Sequence, residues 1–194
     1  MKRIVFALLF IMFLIFQACV TDSASVVTDN EAAAPTDSEI IFGPEGQAVN
    51  VPSDASDDAV IARFDNFTIT KLTFTTTKTE IEEVVENLNK ITLARDYNRW
   101  LTYLSDEYIQ TFSNPANLET VSASLPTKGI KLKNLQDYFR YVFVPSRQDV
   151  RVDDIQFVSP TRVYVIMEIS RDVFAAVYIL EKTNSGWKLV PKNQ

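Results

Sequence analysis

The stretch TEIEEVVENLNKI, residues 79–91, sets the terms for the rest of the chain. Ile81, Val84, Val85, Leu88 and Ile91 follow the i, i+3, i+4, i+7 spacing that gathers apolar side chains on one face of a helix. Thr79 with Glu80, Glu82 and Glu83 suits a helix start, because carboxylates are favoured at the positive end of the helix dipole. A helix with one apolar face has to bury it against another element, and the flanks supply candidates. Ahead of it, residues 64–74 are rich in β-branched side chains, with Phe67 and Ile69 set among Thr68 and Thr70, which predicts a strand. Behind it, Arg95-Asp96 breaks the helix before a second, short one carrying Trp100, Leu101 and Leu104. A strand is expected over Glu107–Phe112. Asn114-Pro115 then opens a helix, with proline at its favoured first position, and Pro126 stops it after Leu125. Asn134 caps a further helix in which Leu135, Phe139 and Val142 share a face, and Pro145 is expected to close it.

The last third of the chain reads as strands and turns. Val150 and Val152 lie on one parity and Ile155 and Phe157 on the other, so a β-bulge is expected at Asp153-Asp154. Ser159-Pro160-Thr161 turns into a strand over 162–170, where Val163, Val165, Met167 and Ile169 alternate with Arg162, Tyr164, Ile166 and Glu168. Residues 173–181 are apolar on both parities, the pattern of a central strand covered on both faces. Asn184-Ser185-Gly186 is a hairpin turn, and Trp187–Val190 a last strand. Helices followed by consecutive antiparallel strands make an α+β domain, with a curved, cone-like antiparallel sheet wrapped on the helices.

The long helix, the run ITLARDYNRWLTYLSDEYI (residues 91–109) and the terminal strands ending in GWKLV (residues 186–190) resemble the nuclear-transport-factor-2-like superfamily. That cystatin-like group includes the ketosteroid isomerases and polyketide cyclases. The resemblance covers about 79–190. It implies a helix, short helix, strand order and an apolar pocket at the open end of the cone. The isomerases' catalytic Tyr and general-base Asp would fall on Leu88 and Phe112, neither of which moves a proton, so the resemblance does not carry that reaction over.

The first nineteen residues give an address. Lys2 and Arg3 precede an apolar run from Ile4 to Phe16, and Gln17-Ala18-Cys19 follows. This is the layout of a secretory signal peptide, and the run is shorter than the roughly 20 residues a membrane-spanning helix needs. Cys19, the single cysteine, sits where bacterial lipoproteins carry their modified cysteine. Ala18 and Cys19 match the end of that family's motif, while Phe16 and Gln17 depart from its usual aliphatic and small residues. The resemblance implies a signal peptide over 1–18 and lipid, palmitate included, on Cys19. Several acyl chains on one cysteine hold a protein at a membrane far more firmly than the marginal single chain.

From Val20 to Ala62 there is no Lys or Arg, but there are nine acids. With Ala, Ser, Thr, Pro and Asn filling most of the remainder, residues 19–62 read as an acidic, disordered tether. Its span would be roughly 35 Å, and its only apolar spots are Ile40-Ile41-Phe42 and Val49-Asn50-Val51. Residues 63–194, the expected domain, hold 17 basic and 16 acidic side chains. The chain's net charge of −6 is therefore owed to the tether, and a near-neutral domain argues against nucleic acid as a partner.

The chain has no histidine, which removes the usual base near neutral pH, the commonest transition-metal ligand and every Ser–His or Cys–His pair. No cofactor or metal is expected. The carboxylates with possible chemistry are Asp106-Glu107, Asp153-Asp154 and Glu168, each of which also has an ordinary place at a turn, a bulge or a solvated sheet face. The aromatic set is Tyr97, Trp100, Tyr103, Tyr108, Tyr138, Tyr141, Tyr164 and Tyr178, with Phe112; the candidate pocket is Trp100, Tyr108, Phe112, Tyr138 and Tyr164. A candidate patch for an anionic partner is Lys128, Lys131, Lys133, Arg140, Arg147 and Arg151.

Three functions stay open on this reading. The favoured one is a non-enzymatic lipoprotein of the cell envelope that binds or scaffolds an envelope partner, held at the outer membrane through Cys19. The second is a carrier or sensor of a small apolar molecule in a cone pocket. The third is a hydrolase or isomerase working with a carboxylate and a tyrosine.

Overall fold

The structure, a computed structural model, describes residues 38–42, 48–52 and 56–192. Strands β1 (Ser38–Phe42) and β2 (Ala48–Pro52) pair antiparallel, Ile41 opposite Val49, so the two apolar spots of the expected tether meet each other. The backbone of β1 also passes close to residues 154–159. A second hairpin, β3 (Val60–Arg63) with β4 (Thr68–Thr70), straddles the expected boundary at 62/63 and buries Ile61 and Ile69.

Helix α1 runs over Lys71–Ala94, eight residues earlier than Thr79. The expected strand over 64–74 is thereby cut to three residues. Thr70 caps the helix by accepting from the amide of Thr73 at 3.2 Å. Thr73, Thr75, Thr76 and Thr77 favour strand by stiffness alone. Packing overrides them, since Phe74, Thr77, Ile81, Val85, Leu88 and Ile91 form one continuous buried stripe. Arg95 ends α1 in the left-handed region, at φ 53°.

Asp96 caps α2 (Tyr97–Leu101), which buries Trp100. The strand expected over 107–112 is a helix instead, α3 (Asp106–Ser113). Ser105 accepts from the Tyr108 amide at 3.0 Å, and Asp106 and Glu107 occupy the favourable first turn. Tyr108 and Phe112, four apart, then fall on one helical face. Asn114 caps α4 (Pro115–Ser124) as expected. Asn134 caps α5 (Leu135–Tyr138), which continues as a π-helical turn over Phe139–Phe143 and as α6 (Val144–Ser146). Pro145 therefore sits inside this run rather than closing it. The wider π register, with the Val144 amide donating to the Phe139 carbonyl, absorbs the proline. The Ser146 hydroxyl donates to the Val142 carbonyl at 2.6 Å.

Four strands complete the fold, β5 (Asp154–Ser159), β6 (Arg162–Ser170), β7 (Val173–Thr183) and β8 (Gly186–Leu189), antiparallel in the order 5-6-7-8. Ile155, Phe157, Val163, Val165, Tyr178, Leu180, Trp187 and Leu189 are buried and join the helices in one core. Asp153-Asp154 makes no bulge between strands, because β5 only begins at Asp154. The irregularities lie at Phe157/Ser159, Val165/Ile166 and Glu168/Ser170 instead. β7 is central, yet its first residues are not covered on both faces: Val173 and Phe174 are each 47% exposed. Gly186 closes the last hairpin at φ 98°, a conformation that side chains disfavour.

β8 also reaches back to the helices. The Leu189 amide donates to the Tyr103 carbonyl at 2.7 Å, and the Ser105 amide donates to Leu189 at 3.0 Å. Glu80 on α1 accepts from Lys182 on β7 at 2.7 Å and from the Trp187 indole on β8 at 2.8 Å. Those two hydrogen bonds, in that order, hold the Glu80 carboxyl below its ordinary range.

Candidate functional site

Where α3, the α5–π run and the far half of β7 meet, they leave a cleft of about 270 Å³. Its walls include Tyr108 and Phe112 from α3, Tyr138 from α5, Phe143 from the π turn, Tyr164 from β6, and Tyr178 and Ile179 from β7. Val190, Pro191 and Lys192 form part of one side. Four of the five expected pocket residues are thus brought together. The fifth, Trp100, is fully buried (0% exposed) and fills the core instead. Its ring packs on Phe139 at 4.8 Å and Phe143 at 5.0 Å, and meets Tyr108 edge-on at 6.0 Å. Trp100, in the short α2, is thus enclosed between α3 and the π turn.

The walls are ordered ring against ring. Tyr108 and Phe112 lie 4.4 Å apart between centroids, Phe112 and Tyr138 4.6 Å apart and nearly parallel. The Tyr108 and Tyr138 phenols interact with each other. Burial pushes the pKa of Tyr108 well above the ordinary phenol value, with Tyr138 adding to it, and burial raises those of Tyr138 and Tyr178 as well.

Two groups were not legible as pocket residues. Tyr178 is 4% exposed, and its hydroxyl oxygen is enclosed without a hydrogen-bond partner. Arg147, read from sequence as part of a surface patch, turns instead into the cleft directly after α6. Its guanidinium carbon lies 5.5 Å from the Tyr178 ring centroid. Its Nη1 donates to the Ser146 carbonyl at 2.9 Å, while its buried Nε has no partner. The inward parity of Tyr178 with Leu180 is the one sequence signal that marks it.

The other cationic candidates do not share this place. Lys128, Lys131 and Lys133 are exposed between α4 and α5, and Arg140 is exposed on the π turn. Arg151 is exposed and pairs with Asp153 at 3.4 Å and with the Glu168 carbonyl at 3.1 Å.

Among the described residues no carboxylate lines the cleft. Asp106 and Glu107 are exposed at the start of α3. Asp153 accepts from the Glu168 amide at 2.7 Å, and Glu168 from the Asp172 amide at 3.0 Å. Asp154 is buried and accepts from the Ile155 amide at 2.7 Å, at the edge strand rather than among the tyrosines. Leu88, one of the two positions aligned with isomerase chemistry, is wholly within the core. The signal segment 1–18 and Cys19 lie outside the described residues. Among the described residues no helix is long and apolar enough to cross a membrane.

No family model matches the chain, and no solved structure does. A protein of Treponema pallidum (strain Nichols), described as an uncharacterized lipoprotein, is 50% identical to it over 143 residues. That match covers 74% of this chain and 76% of the relative. At that identity and coverage, the chain belongs to the same family as this treponemal lipoprotein.

Proposed function

We propose that this protein is a non-enzymatic, lipid-anchored binding protein of the bacterial envelope, which holds a small amphipathic molecule in the tyrosine-lined cleft. The observation that carries the reading is a pair of enclosed polar atoms without partners, the Tyr178 hydroxyl and the Arg147 Nε, on two residues that line the cleft. Buried polar atoms are rarely left without a partner, because stripping water from them is costly. A bound molecule supplies the missing partner. The apolar rings around them supply the area that a small ligand needs. Among the described residues no carboxylate or histidine lines the space, which favours holding over turnover.

The likeness to the nuclear-transport-factor-2-like superfamily belongs to this reading. A sheet packed on helices with an aromatic cleft accords with it, and the helix at 106–113, in place of a strand, departs from it. The anchor belongs to it too. The relative's name, the leader-like residues 1–18 and the lone Cys19 support lipid on that cysteine, with the protein at the outer membrane. Cys19→Ser is expected to move the protein from the membrane to the soluble envelope fraction and to abolish fatty-acid labelling. Retained label in that variant would overturn the anchor. Native mass spectrometry of the protein purified from its own envelope is expected to show an additional small-molecule mass that Tyr178→Phe depletes. A single protein mass in both would overturn the binding reading.

A further inference from the structure

We infer that the molecule held in the cleft is a small monocarboxylate with an apolar body, its carboxylate clamped by Arg147 and Tyr178; this rests on the binding reading above. Charge comes first. Among the described residues the lining holds two cations, Arg147 and the exposed Lys192, and no acid, a balance that favours an anion. Donor geometry narrows the choice. One corner of the Arg147 guanidinium is held by the Ser146 carbonyl and its carbon lies 5.5 Å from the Tyr178 ring centroid, while its Nε has no partner. A guanidinium edge presents parallel N–H groups that match the two oxygens of a carboxylate. The Tyr178 hydroxyl is a further donor in the same enclosed region.

A phosphate or sulfate fits less well. Those ions carry more oxygens and hold their water more firmly, and Phe112, Phe143, Ile179 and Val190 offer apolar surface rather than further donors. The same residues suit a ring or a short chain. Size closes the argument. At about 270 Å³ the cleft equals roughly nine water volumes, enough for one aromatic ring or a short alkyl chain with its headgroup, and too little for a membrane lipid.

The test uses the full-length chain in detergent, titrated with phenylacetate and hexanoate and with their uncharged amides, and followed by calorimetry. Both acids are expected to bind saturably, and each amide at least about tenfold more weakly, as loss of a charge-assisted pair implies. Arg147→Gln is expected to weaken the acids about tenfold or more, and Tyr178→Phe by roughly threefold, the range of one hydrogen bond. Tyr178→Phe removes a single oxygen that has no partner, so the fold survives it and its result is interpretable even if Arg147→Gln is poorly folded. Inorganic phosphate is expected not to compete. Amides binding as tightly as acids, or acids unaffected by either substitution, would overturn the carboxylate assignment while leaving a binding cleft. Failure of all four probes to bind would remove the binding reading along with it.

Discussion

At the scale of single residues, the tyrosines divide by what burial does to a phenol. Tyr108, Tyr138 and Tyr178 all have their pKa pushed up, chiefly because an enclosed phenolate loses its water. The folded state then holds these protons more tightly than the unfolded state does. Their contribution to stability is complete below the ordinary phenol value of 10.0 and is lost as pH rises beyond it. An alkaline titration is expected to show these three ionising together with loss of the near-ultraviolet dichroism of the core, not ahead of it. Ionisation of all seven tyrosines with that signal intact would contradict the enclosed arrangement. The same residues show what a sequence can disclose of a site. Tyr108, Phe112, Tyr138 and Tyr164 are legible because aromatic side chains with a polar handle gather at pocket walls. Trp100 satisfies the same rule yet fills the core, for the rule does not say which side of a wall a ring occupies. Arg147 was illegible because a cation's default is solvent, and only the register of the preceding turn aims it inward.

Turns, caps and registers set the element scale. The stripe from Ile81 to Ile91 identifies α1 without help, while its true beginning is hidden in a threonine run whose local preference is for strand. The start therefore rests on the Thr70 cap. Thr70→Ala is expected to lower unfolding stability by about 1 kcal/mol in denaturant titration. Thr79→Ala, at the start expected from the acids, is expected to be neutral or slightly stabilising, because Thr79 lies mid-helix and only back-bonds to Thr75 at 3.1 Å. The reverse order of effects would move the helix start to residue 79. The error at 106–113 has a similar cause. Tyr108 and Phe112 share a face in a strand and in a helix alike, so parity could not choose, but Ser105-Asp106-Glu107 could, as a cap followed by two acids. In the run 135–146 the proline is expected to close the helix, and instead the chain carries through it by way of the π turn and α6. What sequence did not disclose was that a π turn removes the need for the helical bond that proline cannot make.

On the scale of the whole molecule, the order of helices and then antiparallel strands follows from the change of hydrophobic period along the chain, and that much is legible. How the two halves are fastened is not, because it depends on partners far apart in sequence. Glu80 and Trp187 are hydrogen-bonded across 107 positions, and β8 lies beside Tyr103–Ser105. Contacts of this range are entropically expensive to close and form late. The consequence concerns timing. A chain that emerges from its N-terminal end cannot seat Trp187 and Leu189 in the core until residues 186–189 are free, so until then its helices have no completed sheet to pack on. Chains ending at Ser185 are expected to remain protease-sensitive and to bind a hydrophobic dye, while chains carrying the last hairpin resist both. Equal resistance in the shorter chain would show that the lock closes earlier.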